Sequence, residues 1–122
     1  MKDKILVVDD EPDAREMVKL RLEANHYSVM TAANGREALE KTRQELPDLV
    51  ILDIKMDPMD GYTILRTMRQ DALTKDIPVI MLTAYAHMKD LFSLEGATDY
   101  ILKPYNDQDF ILRIASALHK EK

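Results

Sequence analysis

The chain contains no cysteine, which excludes disulfide bonds and metal held by thiolates. Its three histidines, His26, His87 and His119, stand far apart, so no pair has metal-ligand spacing. No apolar run approaches the roughly 20 residues that a membrane-spanning helix needs. Met1-Lys2-Asp3-Lys4 leads straight into a strand pattern, without the leader of a secreted protein. A cytoplasmic location is expected. Positive charge is also in deficit, and the formal net charge of −5 disfavours non-specific nucleic-acid binding and attachment to acidic membranes. Repeats, low-complexity segments and linkers are absent. What is present is 122 residues of ordinary globular composition, enough for one core and too few for two. Residues 1–122 are expected to form one domain.

The stretch that organises this chain is Leu49-Val50-Ile51-Leu52-Asp53. A short continuous apolar run bounded by turn residues reads as a strand buried on both faces. Ile5-Leu6-Val7-Val8 and Pro78-Val79-Ile80-Met81-Leu82 are runs of the same kind, and Asp99-Tyr100-Ile101-Leu102 reads as the last strand. Tyr27 to Thr31 alternates and suits a strand near an edge. Between the strands lie helical patterns. Pro12 suits a first helical turn, and Ala14, Met17, Val18 and Leu22 follow at helical spacing, giving a helix over about 12–25 that stops at Asn25-His26.

Asn34-Gly35 could signal a hairpin, yet Arg36 to Arg43 consists largely of strong helix formers without alternation. Asn34 therefore reads as the cap of a helix running to about Leu46. Ile64, Leu65 and Met68 mark a third helix over about 61–71, and a weaker fourth spans about 84–95, closed by Gly96. Asn106 caps the fifth, with Asp107 and Asp109 in its first turn and Phe110, Ile114 and Leu118 facing inward. The eight methionines fall mostly at core spacing and carry no functional meaning. Five strands alternating with five helices imply an α/β fold: parallel βα units, right-handed crossovers and one sheet covered on both faces.

In such sheets ligands bind beyond the carboxyl ends of the strands. There the first strand delivers Asp9, Asp10 and Glu11, the third Asp53, the fourth Thr83 and the fifth Lys103. Any one of these could be an ordinary loop residue that bonds its own turn. Six at the ends of strands are better explained together. Carboxylates brought together repel and need a cation, and Mg²⁺ favours one or two carboxylates with water and a phosphate oxygen. Lys103 would add a second positive charge and Thr83 a hydroxyl.

These residues stand in Val7-Val8-Asp9-Asp10-Glu11, Leu52-Asp53, Met59-Asp60-Gly61, Leu82-Thr83-Ala84 and Asp99-Tyr100-Ile101-Leu102-Lys103-Pro104. In these motifs, and from about Lys4 to Leu118, the chain resembles the receiver domains of two-component response regulators. The resemblance implies a flavodoxin-like receiver fold with strand order 2-1-3-4-5. It implies Asp53 as phosphoacceptor, attacking the phosphorus of a phosphohistidine on a histidine kinase or phosphotransfer protein. It implies Mg²⁺ bound directly by Asp10 and Asp53, by Asp9 through water, and by the backbone carbonyl of Lys55. Lys103 would pair with phosphate oxygens, Thr83 would move to the phosphoryl group, and Tyr100 would turn inward as the aromatic switch. Tyr100 is expected to be at least partly exposed before phosphorylation. The domain would be a signalling switch rather than an enzyme, a monomer or a phosphorylation-dependent dimer, acting on an unidentified protein target without touching nucleic acid or membrane.

The chain departs from the family in three places. Asp57 precedes Pro58 where the family has proline directly after Met56. Thr83 and Lys103 are twenty residues apart, two fewer than is commonest, which bears on the fourth helix. Lys55 and Tyr85 occupy the positions that tune dephosphorylation, and neither is the amide or acid that best holds an attacking water. Because residues 119–122 follow the fifth helix directly, a stand-alone receiver is expected. The alternative is a receiver fragment of a larger regulator, or a phosphorelay intermediate that passes the group on. An aspartyl-nucleophile phosphatase would need a second Asp where Lys55 stands. A flavodoxin-like cofactor binder would need a glycine- and hydroxyl-rich loop where Asp9 to Asp13 stands. A Ca²⁺ loop around Gly61 fails because Met56 and Pro58 occupy ligand positions.

Overall fold

The computed structural model describes residues 2–53 and 58–119 of the chain, apart from the side chains of residues 58–60. Its elements run in the order β1 (Lys4–Val8), α1 (Pro12–Ala24), β2 (Ser28–Ala32), α2 (Gly35–Glu45), β3 (Leu49–Asp53), α3 (Pro58–Gln70), β4 (Val79–Thr83), a 3₁₀ turn (Ala86–Met88), α4 (Lys89–Leu94), β5 (Asp99–Leu102) and α5 (Asp107–His119). The strands form one parallel sheet in the order β2-β1-β3-β4-β5. This is the parallel α/β sheet that the strand and helix alternation implies, in the flavodoxin-like strand order that the family resemblance implies.

The continuous apolar runs are continuous because both faces of the sheet are covered. Along β1, β3 and β4 the period of two sends Leu6, Val8, Val50, Leu52, Val79 and Met81 to one face, against Ala38 of α2, Ile64, Leu65 and Met68 of α3 and Phe92 of α4. It sends Ile5, Val7, Leu49, Ile51, Ile80 and Leu82 to the other, against Val18 and Leu22 of α1 and Phe110, Ile114 and Ala117 of α5. Tyr100 and Ile101 divide in the same way on β5. At about 25 cal/mol per Å² of apolar surface removed from water, these two cores are what hold the strand ends in place.

The helix ends follow from local chemistry. Asn34 accepts the amide of Glu37 at 2.9 Å and Asn106 that of Asp109 at 3.0 Å, so both caps form as read. Asn34-Gly35 opens a helix, not a hairpin. α1 closes at Asn25, and His26 then takes a left-handed backbone with φ of 71°. β2 is an edge strand, shifted one residue from the expected start.

Three readings change. The fourth helix, expected over 84–95, is a 3₁₀ turn followed by only six α-helical residues. Neither piece has a side-chain N-cap, and Gly96, at φ +96°, ends the second. The third helix begins at Pro58 rather than near Gly61, since proline fits a first helical turn. Met17, counted on the inward stripe of α1, is 60% exposed, because α1 buries the narrower stripe of Val18 and Leu22. The two side chains should therefore respond differently to truncation. Leu22→Ala is expected to cost about 2–5 kcal/mol in urea unfolding, and Met17→Ala no more than about 0.5 kcal/mol.

Candidate functional site

The site grows out of the register. β1 and β3 are adjacent, with Val8 opposite Leu52, so the residues that follow, Asp9 and Asp53, emerge side by side at the carboxyl edge. This is where the strand order reverses direction, the crevice in which such sheets bind ligands. Both carboxylates are 1% exposed. Asp53 accepts a hydrogen bond and ion pair from the Lys103 ammonium, which reaches over from the end of β5. Thr83, fully buried at the end of β4, accepts the amide of Tyr85 on its hydroxyl at 3.0 Å. The Lys103 amide donates to the Thr83 carbonyl at 2.8 Å, which ties the two strand ends together.

Two carboxylate oxygens are buried here without a hydrogen-bond donor among the described residues: Oδ2 of Asp9 and Oδ1 of Asp53. As anions neither can donate to the other. Burial first, and then the neighbouring Asp53, push the Asp9 carboxyl up to about 6, against the Glu11 amide and the Lys103 ammonium, which favour its charge. Orphaned buried oxygens on facing acids fit a hard cation, since Mg²⁺ takes oxygen ligands.

Asp10 is exposed rather than packed into this pair. Among the described residues no three acidic or imidazole groups stand close enough to hold one ion. The mutual repulsion expected of three acids is therefore a matter of two, Asp9 and Asp53. Lys55, expected to contribute its backbone carbonyl, and the Asp57-Pro58 turn fall at or beyond the edge of the described residues. Beside Asp53, a groove of about 640 Å³ opens between α1 and the β5–α5 loop, lined among others by Asp53, Lys103, Ala84, Met17 and Tyr105.

Residues 5–115 match the family described as response regulator receiver domain. The chain belongs to that family. It is 43% identical over 121 residues to "Probable transcriptional regulator ycf27" of Guillardia theta, which covers 98% of this chain and 46% of that protein. It is 34% identical to "DNA-binding dual master transcriptional regulator RpaA" of Synechocystis, over 96% of this chain and 49% of that one. Among solved structures, the response regulator TrrA of Thermotoga maritima, in complex with Mg²⁺ and BeF, is 41% identical with a TM-score of 0.84, covering 96% of this chain and 99% of that one. The receiver thus spans about half the length of the curated relatives it matches. As a response regulator receiver domain it belongs to two-component signalling. No helix among the described residues is long and apolar enough to cross a membrane.

One expectation for the receiver needs correcting. Tyr100 is 7% exposed and sits in the core cluster, not partly outside. Its ring lies 6.0 Å from that of Phe92, its hydroxyl donates to the Tyr85 carbonyl, and burial raises its phenol above the ordinary range. Period-two geometry puts Tyr100 on the α4 face, where Phe92 leaves room for it. Tyr85 packs its own ring on the same cluster and meets His87 edge-on at 6.1 Å.

The sequence reading missed the side chains that hold these parts. Arg15 donates to the Asp9 carbonyl at 2.8 Å. Tyr62 donates to Glu95 at 3.0 Å, and Arg69 to the carbonyls of Gly96 and Ile77. Helical side chains lean toward the N-terminus. An arginine in the first turn of α1 was therefore placed to reach back over the β1–α1 loop.

The raised Asp9 pKa has a sign. Between about pH 3.8 and 6 the folded state binds the Asp9 proton more readily than the unfolded chain. The associated stability is full below that window and lost as pH rises through about 6. In metal-free buffer with chelator, Asp9→Asn should be more stable than wild type above pH 6, by roughly 1–3 kcal/mol. The difference should close toward pH 4, as measured by urea unfolding across pH. A variant less stable than wild type at pH 7 would show that Asp9 is a favourable structural anion.

Proposed function

We propose that this receiver accepts a phosphoryl group on Asp53 from the phosphohistidine of a histidine kinase or phosphotransfer protein, with Mg²⁺, and thereby switches conformation. The observation that carries the reading is the buried Asp9–Asp53 pair with one orphaned oxygen on each acid and the Lys103 ammonium on the other oxygen of Asp53. One Asp53 oxygen forms the new P–O bond while the P–N bond to the donor imidazole breaks. The leaving electron pair stays on that nitrogen, and an acyl phosphate results. Lys103, already at Asp53, is positioned to follow the charge onto the phosphoryl oxygens. Asp9, Asp53 and the carbonyl of Lys55 are the groups that would hold Mg²⁺, with Asp10 swinging in from the exposed rim to join them; the ion's chemistry is to neutralise charge on the transferring group. The groove over Asp53 and Lys103 gives the donor its access.

The switch follows from the same contacts. Thr83 accepts from the Tyr85 amide, and the Tyr85 carbonyl accepts from Tyr100. A Thr83 side chain that moves to donate its hydroxyl to the phosphoryl group draws on the bond that it accepts from the Tyr85 amide, and the peptide that follows carries the partner of Tyr100. The output is a shift between two packings of this segment. The names of the relatives favour an output in transcription, exerted through a further unit or partner. The acidic receiver itself is assigned no contact with nucleic acid.

At the tuning positions, Lys55 can pair with phosphoryl oxygens but holds a water poorly. Tyr85 turns its ring to the core and His87. Neither orients a nucleophilic water, so hydrolysis is slow and the signal ends through a partner phosphatase or back-transfer. Lys55→Asn combined with Tyr85→Glu should lose its phosphoryl group several-fold faster than wild type, because about 1 kcal/mol gained by positioning a water is worth roughly fivefold in rate. Equal or longer retention would refute this. For the acceptor itself, acetyl phosphate with Mg²⁺ should add one phosphoryl group to the wild type in intact-mass spectrometry and none to Asp53→Asn. Undiminished labelling of that variant would sink the assignment.

A further inference from the structure

We infer that Arg15 is a positioning residue for the metal-binding acids, acting through the peptide bond between Asp9 and Asp10; this rests on the Mg²⁺ reading above. Asp9 has four polar atoms. Its amide donates to the Ala32 carbonyl of β2 at 3.1 Å. Its Oδ1 accepts the Glu11 amide at 3.0 Å. Its carbonyl accepts Nη1 of Arg15 at 2.8 Å. Oδ2 is the one atom without a donor among the described residues.

Two of those three anchors are main-chain groups, the Ala32 carbonyl and the Glu11 amide. The third is a side chain, and it grips the carbonyl of the Asp9–Asp10 peptide. That peptide plane sets the directions of both side chains it joins, one buried against Asp53 and one exposed at the rim. It lies beyond the last β1–β3 pair, Val8 opposite Leu52, so the ladder to β3 does not hold it. A charged donor makes a stronger bond to a carbonyl than a neutral one, and Arg15 is partly buried in the first turn of α1. Groups that orient metal ligands from behind typically change metal affinity 10–100-fold when removed. The competing effect is electrostatic: a guanidinium near an acidic pocket opposes a cation, so its loss would tighten binding.

The two effects have opposite signs and can be separated. Arg15→Met keeps the aliphatic stem and removes charge and donor; Arg15→Lys keeps the charge with a shorter reach. The Mg²⁺ dissociation constant is measured by NMR titration of the metal-free protein, and the Asp10 amide ¹⁵N shift reports the bond at the adjoining carbonyl. The expected result is a displaced Asp10 amide with about tenfold weaker Mg²⁺ binding in Arg15→Met, and smaller changes in both for Arg15→Lys. A displaced amide with unchanged or tighter Mg²⁺ binding overturns the inference, as does weaker binding with an unmoved amide. Should Arg15→Met fail to fold, the same pair of readings on Arg15→Lys decides. Wild type that binds no Mg²⁺ would overturn the metal reading and this role with it, an outcome distinct from a variant that binds normally.

Discussion

Two carboxylates sit side by side at the carboxyl edge of a parallel sheet, out of water, and the rest of the structure makes that tolerable. Burying an anion is costly unless it is paired. Asp53 has the Lys103 ammonium, whereas among the described residues the Asp9 carboxylate has the Glu11 amide and the fringe of the same lysine, and burial with the neighbouring Asp53 pushes its carboxyl up to about 6. Neither acid would stay there on local preference. They are held because β1 and β3 are neighbours in register and each is locked between two apolar layers. Core packing sustains an electrostatically unfavourable arrangement, which a cation can then relieve. The site is strained by charge rather than by backbone geometry.

The helix layer packed on the α4 side of the sheet is unevenly anchored. α4 is short, and its N-terminal side, the 3₁₀ turn, has no capping side chain. Its C-terminal side is gripped from α3, where Tyr62 holds Glu95 and Arg69 holds the Gly96 carbonyl. The Thr83–Tyr85–Tyr100 contacts lie at the weakly held end. A change at Thr83 therefore meets the least resistance where it enters the α4 region, and the aromatic row Tyr62–Phe92–Tyr100 connects that end to α3. Elements that respond to ligands are drawn from the less stable parts of a fold. On the opposite face α1 and α5 are joined by Arg21, which bonds the Tyr105 hydroxyl and pairs with Asp107. That arrangement stiffens the loop that carries Lys103.

Much of this was legible in the chain because it depends on short-range regularities. Apolar runs without alternation declare strands buried on both faces. Proline, asparagine and glycine declare where helices begin and end. Strand ends declare where chemistry can sit, so Asp9, Asp53, Thr83 and Lys103 could be named from position alone, and the order 2-1-3-4-5 could be expected from family resemblance. Tertiary structure decided what depends on which neighbour is present. Met17 has a core residue's spacing and no core beside it. Tyr100 has a switch residue's place, and its burial is set by the room that Phe92 leaves. Asp10 and Asp9 are adjacent in sequence with the same side chain, yet one is exposed and the other buried, because both lie just past the end of β1 and only Asp9 turns toward Asp53. Arg15 looks like any surface arginine until the loop folds back beneath it. Periodicity and end signals are properties of a few successive residues; burial, pairing and the shift of a carboxylate toward neutrality are properties of what the rest of the chain brings to them.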